Sequence, residues 1–205
     1  MRNGGPRMGL ALLALSFVTL SAGALFAEAV DPHAHHKLER TDAYTRRDIE
    51  LALPDVRLID QRGEPLALRS LEQTDAPVVV NFIFATCTTV CPISSAGFAD
   101  FQKRLDAVGS DARLISITID PEHDTPSVLA EYAARFAAGG RWRFATGSRA
   151  EIEQTLRAFD AYVANKMSHT PKTFIRARGG AHWIRVDGFM SGAEHLAELE
   201  RALEP

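Results

Sequence analysis

The stretch Val78–Pro92, VVVNFIFATCTTVCP, constrains this chain more than any other. It begins as an unbroken apolar run rich in β-branched and aromatic residues, the composition of a strand buried on both faces of a sheet. The run ends at Ala85-Thr86. The chain's only two cysteines follow, Cys87 and Cys91, with Pro92 directly after them. An amphipathic segment then begins. The pattern reads as strand, short loop and helix start, with the thiols at the junction.

Residues spaced i, i+4 share one face of a helix. Two thiols so placed can point at one metal ion. Their backbone separation, about 6 Å along a helix, also lies in the range that a disulfide bridges. Amides at a helix start favour the thiolate, the form that binds metal and attacks disulfides. Metal binding, redox chemistry, a structural disulfide and a pair of merely buried thiols all remain open on this spacing.

The N-terminus reads as a targeting segment. Arg2 and Arg7 precede an apolar run from about Met8 to Ala27, and Ala27-Glu28-Ala29 is a small-x-small cleavage signal. Residues 1–29 are expected to be a signal peptide, leaving Val30 first, or a membrane anchor. No cysteine follows the run, which excludes bacterial-type lipidation. The remainder is expected to be exported to the periplasm, soluble or held at the inner membrane, where disulfides persist. Residues 30–48 are polar and lack apolar periodicity, the mark of a linker. His33, His35 and His36 within it form either a weak metal-capture triplet or part of a solvated tether. The folded domain is expected over residues 49–205. A formal net charge of −3 gives no support to nucleic-acid binding.

Within that domain, Leu58–Asp60 and Pro65–Leu68 flank Gln61-Arg62-Gly63-Glu64 as a hairpin. After Pro92, the residues Ile93, Phe98, Phe101 and Leu105 suggest a core-facing helical stripe. Arg113–Ile119 is a second β-rich run that ends in Asp120–Pro126, DPEHDTP. Thr125 as cap and Pro126 as first residue would open a helix through Phe136. Trp142–Thr146 suits a short strand. Ser148 with Glu151, and Ser191 with Glu194, fit capping boxes for helices to about Phe159 and to Leu203. Lys172–Arg176 and Ala181–Val186 read as a second hairpin. Such alternation predicts an α/β domain, a central mixed sheet flanked by helices, with its sites in loops at the carboxyl ends of strands. Cys87, Cys91 and the Asp120 loop lie at such ends.

A histidine would complete a Cys2His ligand set. His123 lies in the Asp-Pro loop and qualifies. His182 and His195 fall in a strand and the last helix, where a surface or hydrogen-bonded histidine is the rule. His169 lies in a loop just before a strand able to run beside Val78–Phe84. Asp120 and Asp124 read as turn formers and helix caps in preference to outer-shell carboxylates. Met167 reads as a packing or surface methionine in preference to a thioether ligand.

Three motifs, NFIFATCTTVCP, DPEHDTP and HTPKTFI, resemble the SCO/SenC copper-binding proteins, a branch of the thioredoxin-like superfamily. LPDVRLIDQRGEPLAL and WRFATG are also similar to that family. The resemblance runs from about Leu53 to the C-terminus. It implies a thioredoxin-like fold and copper, Cu(I) or Cu(II), held by Cys87, Cys91 and His169. It further implies an exported copper chaperone that passes copper by ligand exchange to a client, the copper centre of a respiratory cytochrome c oxidase. Coordination logic alone does not separate copper from zinc.

Two positions depart from the family's pattern. Ser168 stands where an acidic residue often precedes the histidine, and Thr88-Thr89-Val90 lacks the acidic residue frequent between the cysteines. The rival expectation is a thiol–disulfide oxidoreductase with Cys87 and Cys91 as its redox pair, which needs no His169. Three residues between the cysteines, where ordinary thioredoxins have two, favour metal. Thr170-Pro171, in the place of the cis-proline that faces the cysteines of many thioredoxin-like redox proteins, favours redox chemistry. A redox or copper sensor acting through a partner is a third expectation.

Overall fold

In the computed structural model, the described residues are 44–178 and 182–204, with Met1 and Gly5. Apart from Met1 and Gly5, the expected targeting segment 1–29 lies outside them, as do the linker histidines His33, His35 and His36. The elements run β1 (Tyr44–Glu50), β2 (Arg57–Asp60), β3 (Pro65–Ala67), α1 (Ser70–Gln73), β4 (Val78–Ile83), α2 (Val90–Ala107), β5 (Arg113–Thr118) and α3 (Pro126–Arg135). After these come β6 (Trp142–Thr146), α4 (Arg149–Ala158), a 3-10 turn (Lys166–Ser168), β7 (Lys172–Arg176), β8 (His182–Gly188) and α5 (Gly192–Leu203). All belong to the unit Arg40–Pro205, which is distinct from Met1–Glu39.

The strands form one mixed sheet in the order β1-β8-β7-β4-β5-β6-β2-β3. β4, β5 and β6 are parallel, whereas β7 runs antiparallel to β4 and β8 antiparallel to β7. All six residues of β4 are buried, as its unbroken apolar run requires. Side chains alternate across a strand. Val79 and Ile83 accordingly pack in one core with Phe98, Phe101, Leu129, Trp142 and Leu199. Val78, Val80 and Phe82 pack in the other with Ile152, Leu156, Phe159, Phe174 and Trp183. Helices α2, α3 and α5 therefore cover one face, and α4 the other.

The local start signals hold. Thr125 caps α3, its hydroxyl accepting the Val128 N–H, with Pro126 first in the helix. Ser148 and Ser191 form both expected capping boxes. The hairpin β2–β3 and the pairing of β7 with β8 are as expected, although the turn residues 179–181 lie outside the described residues.

Three expectations need correction. The sheet reaches into the stretch expected to be linker, because residues 44–48 are in β1, paired along its whole length with β8. No apolar alternation marks this strand; its residues are YTRRDIE and mostly exposed. Its identity comes from the free edge of β8 and from Glu198, a buried carboxylate on α5. Glu198 accepts Tyr44 O–H at 2.8 Å and Arg46 Nε–H at 3.1 Å. Second, Ile93 is 58% exposed. The inward stripe of α2 is Cys91, Ser95, Phe98, Gln102 and Leu105, spaced by fours and threes, and Ile93 lies off that line. Third, no cis peptide bond occurs among the described residues, so Thr170–Pro171 is trans.

Replacing Glu198 by alanine should release β1. Two donors of β1, and Arg201 of α5, lose their buried acceptor, at a cost of about 2 kcal/mol. Amide hydrogen exchange across residues 44–50 should speed up while exchange in β4 holds. Equal protection of β1 in the variant would disprove the role of Glu198.

Candidate metal centre

The two cysteines occupy different surroundings although four residues apart. Helix α2 begins at Val90, so Cys87 lies outside it, in the turn that closes β4, and the pair does not share a helical face as its spacing suggested. The Cys87 N–H donates to the Phe84 carbonyl at 3.1 Å, which folds the turn back on the strand end. The Cys91 N–H, one of the unpaired amides of the helix start, donates to Cys87 Sγ at 3.3 Å. Cys91 itself heads the inward stripe of α2 and is 1% exposed, against 6% for Cys87. The sulfurs are not bonded to each other.

These surroundings split the two acidities. Burial opposes ionisation of Cys87, but the N–H groups of Cys91 and Thr89 outweigh it and hold the thiol below its ordinary value. Burial pushes the Cys91 thiol far up, and the adjacent Cys87 adds to that. Cys87 is thus the more readily ionised sulfur, and Cys91 the one that holds its proton.

His169 follows the 3-10 turn and is 6% exposed. β7 pairs with β4 only as far as Asn81, and the histidine ring takes the next carbonyl: Nε2 lies 3.0 Å from the Phe82 oxygen. A carbonyl only accepts, so Nε2 carries the proton and Nδ1 keeps its lone pair. Burial lowers the His169 pKa against the pull of that carbonyl, which favours the neutral ring. A metal-binding histidine is oriented in this way, with one nitrogen on a backbone carbonyl and the other free for the ion.

The Asp120–Pro126 loop joins these parts. Asp124 is fully buried, and its carboxylate accepts the Ala85 N–H at 3.1 and 3.2 Å and the Thr118 O–H at 2.5 Å. Burial raises its pKa. Asp120 accepts Lys166 Nζ–H at 2.5 Å and His123 Nδ1–H at 2.9 Å. Burial opposes the Asp120 charge, but Lys166 and His123 hold its pKa below the usual range. Neither aspartate caps α3, which is the task of Thr125. Both tie loops together, a structural role as expected, though through partners on other loops and not as caps. No linear motif pointed to Lys166, Thr118 or the Phe82 carbonyl, because each acts on a residue distant in sequence or through the backbone.

The remaining candidates fall away from this centre. The His123 side chain is 62% exposed and engaged with Asp120. His182 is exposed near Glu50. His195 is buried between Phe98 and Phe101. Met167 is 67% exposed. Among the described residues, no three of His, Cys, Asp and Glu stand close enough together to hold a metal ion. Cys87, Cys91 and His169 therefore gather at the carboxyl end of β4 without closing on a common point.

Comparison with known proteins completes this account. A model of the SCO1/SenC family matches residues 47–204. The SCO1 protein homolog of Bacillus subtilis is 39% identical over 107 residues, covering 51% of this chain and 54% of the relative. A Stutzerimonas stutzeri protein described as a copper-binding candidate is 30% identical over 91 residues, 44% of each chain. The chain thus spans about half the length of the curated relatives it matches. The solved structure of BsSco, described as a member of the Sco family of cytochrome c oxidase assembly proteins with a disulfide switch, superposes with a TM-score of 0.64. It is 27% identical and matches over 77% of this chain and 96% of its own. The mixed sheet with helices on both faces is the thioredoxin-like architecture of these proteins. Because the family model spans every strand and helix of the domain but the first residues of β1, the chain belongs to the SCO1/SenC family.

Proposed function

We propose that this protein is an exported copper chaperone, which binds copper through Cys87 Sγ, Cys91 Sγ and His169 Nδ1 and hands it to a client by ligand exchange. The observation that carries this reading is the preparation of both kinds of donor at one strand end. Cys87 Sγ sits on a helix-start amide, and His169 commits Nε2 to the Phe82 carbonyl. Copper is cargo here, and it supplies the attraction that closes the three donors on one point.

The donor set suits Cu(I), as it also suits zinc, so the choice of copper rests on the family. Thiolates are soft, and imidazole accepts the same ion. Zinc favours four ligands or three and a water. The carboxylates of the adjoining loop, Asp120 and Asp124, are already engaged, and Ser168 brings none. The copper-binding description of the Stutzerimonas relative supports copper as the metal, and the description of BsSco supports a cytochrome c oxidase as the client. Residues 1–29 carry the export, as signal peptide or anchor.

Anaerobically purified full chain should take up one Cu(I). His169→Ala should weaken that binding by at least about 100-fold, beyond the 10–100-fold range of outer-shell changes. A variant that holds Cu(I) as tightly as wild type in a chelator competition would remove His169 from the site.

A second reading, a thiol–disulfide oxidoreductase, rests on the contrast between the two sulfurs. Cys87 thiolate would attack a client disulfide and release one client thiolate. Cys91 would then lose its proton, close the Cys87–Cys91 disulfide and free the second client sulfur, so that the client gains two electrons, its two thiols being protonated by the Cys91 proton and one from water. Under this reading His169→Ala keeps full reductase turnover.

A further inference from the structure

The proposed copper site needs His169 and the cysteines to be held in register, yet they sit on separate loops. The histidine loop, residues 161–168, has little packing of its own. Residues 162–168 are exposed or half-buried, and the loop forms one wall of a cleft of about 390 Å³ whose other walls are the Asp120 loop and α4. A loop backed by open space is positioned by the few contacts it makes. Chief among these is Lys166, three residues before His169. Its Nζ reaches Asp120 Oδ2 at 2.5 Å and lies 5.5 Å from the centre of the Phe84 ring.

Both partners lead to the cysteines. The Phe84 carbonyl holds the Cys87 N–H. The Asp120 N–H donates to Thr118 Oγ1 at 2.9 Å, the Thr118 hydroxyl donates to Asp124, and Asp124 holds Ala85. A continuous path thus runs from Lys166 to a residue two positions before Cys87.

We infer that Lys166, through its ion pair with Asp120, is a positioning residue for copper capture: it sets the histidine loop against the cysteine turn so that His169 can reach the same ion. This rests on the proposed ligand set. Lys166 is half-buried, and the buried Asp120 keeps His123 as a partner when the lysine is removed, so loss of the pair should cost the fold little. Its effect belongs in the closing of the site, where a displaced outer group typically weakens metal binding 10–100-fold.

The test is a set of Cu(I) competition titrations on the full chain under anaerobic conditions, with circular dichroism to verify folding. Lys166→Ala should weaken Cu(I) binding about 10–100-fold. It should change nothing further in a His169→Ala background, because its effect passes through the histidine. Asp120→Asn should give the same loss, and the Lys166→Ala/Asp120→Asn double variant no more than either single change. Wild-type affinity in Lys166→Ala overturns the inference. So does an equal loss on top of His169→Ala, since Lys166 would then act on the cysteines or the fold. Wild-type affinity in His169→Ala alone sinks the ligand assignment itself, which separates failure of the site from failure of the strap.

Discussion

Replacing Asp124 by alanine is expected to cost the fold about 3 kcal/mol and to loosen the turn that presents the cysteines. Its carboxylate serves two donors that have no route to water, the Ala85 N–H and the Thr118 hydroxyl. A buried donor left without an acceptor costs about 1–3 kcal/mol. Two such losses exceed the relief gained by no longer burying a carboxylate, which is the reason its pKa is raised. Asp124→Asn should be milder. Its amide oxygen can still accept the Ala85 N–H, while its NH2 cannot accept from Thr118. Urea unfolding measures the cost, and hydrogen exchange at the Ala85 amide reports the loosening directly. A loss under about 1 kcal/mol with an unchanged Ala85 amide would mean that another group holds the turn.

The second large effect is a loss of stability in mild acid, carried by His195. Its ring lies 4.8 Å from Phe98 and 5.2 Å from Phe101. Nδ1 donates to the Ser191 carbonyl at 2.9 Å, and Nε2 has no hydrogen-bond partner among the described residues. Burial lowers the pKa from 6.5 to about 4, while the Ser191 carbonyl and Glu194 oppose the shift. The folded protein therefore binds this proton less readily than the unfolded chain does. Above pH 6.5 the ring is neutral in both states and contributes nothing to the pH slope. As pH falls from 6.5 to 4, the unfolded chain gains a proton that the fold refuses, and stability drops by about 3 kcal/mol.

Burial lowers the His169 pKa too, so His169 adds to the slope with the same sign. The carboxylates Asp60, Asp120 and Asp187 are held low, and their contributions vanish only as pH passes below the ordinary carboxylate value of 3.8. His195→Phe should flatten most of the decline between pH 6.5 and 4.5, in unfolding curves taken at several pH values. A slope as steep in the variant as in the wild type would show that His195 does not carry it.

Much of this protein was legible from residues close together in the chain. The apolar run that became β4, the caps at Thr125, Ser148 and Ser191, and the two hairpins each depend on contacts within a few residues, which a local pattern records. The cysteines at the strand end were legible for the same reason, and so was the kind of chemistry that two sulfurs and an imidazole allow. Tertiary structure alone decided the rest. YTRRDIE is a strand because β8 and Glu198 lie beside it, and Glu198 is 154 residues from Tyr44. Which nitrogen of His169 stays free was set by a carbonyl 87 residues away, and the hold on its loop by an aspartate 46 residues away. Such pairings leave no periodicity in the sequence, because their energy exists only once the sheet has brought the partners together.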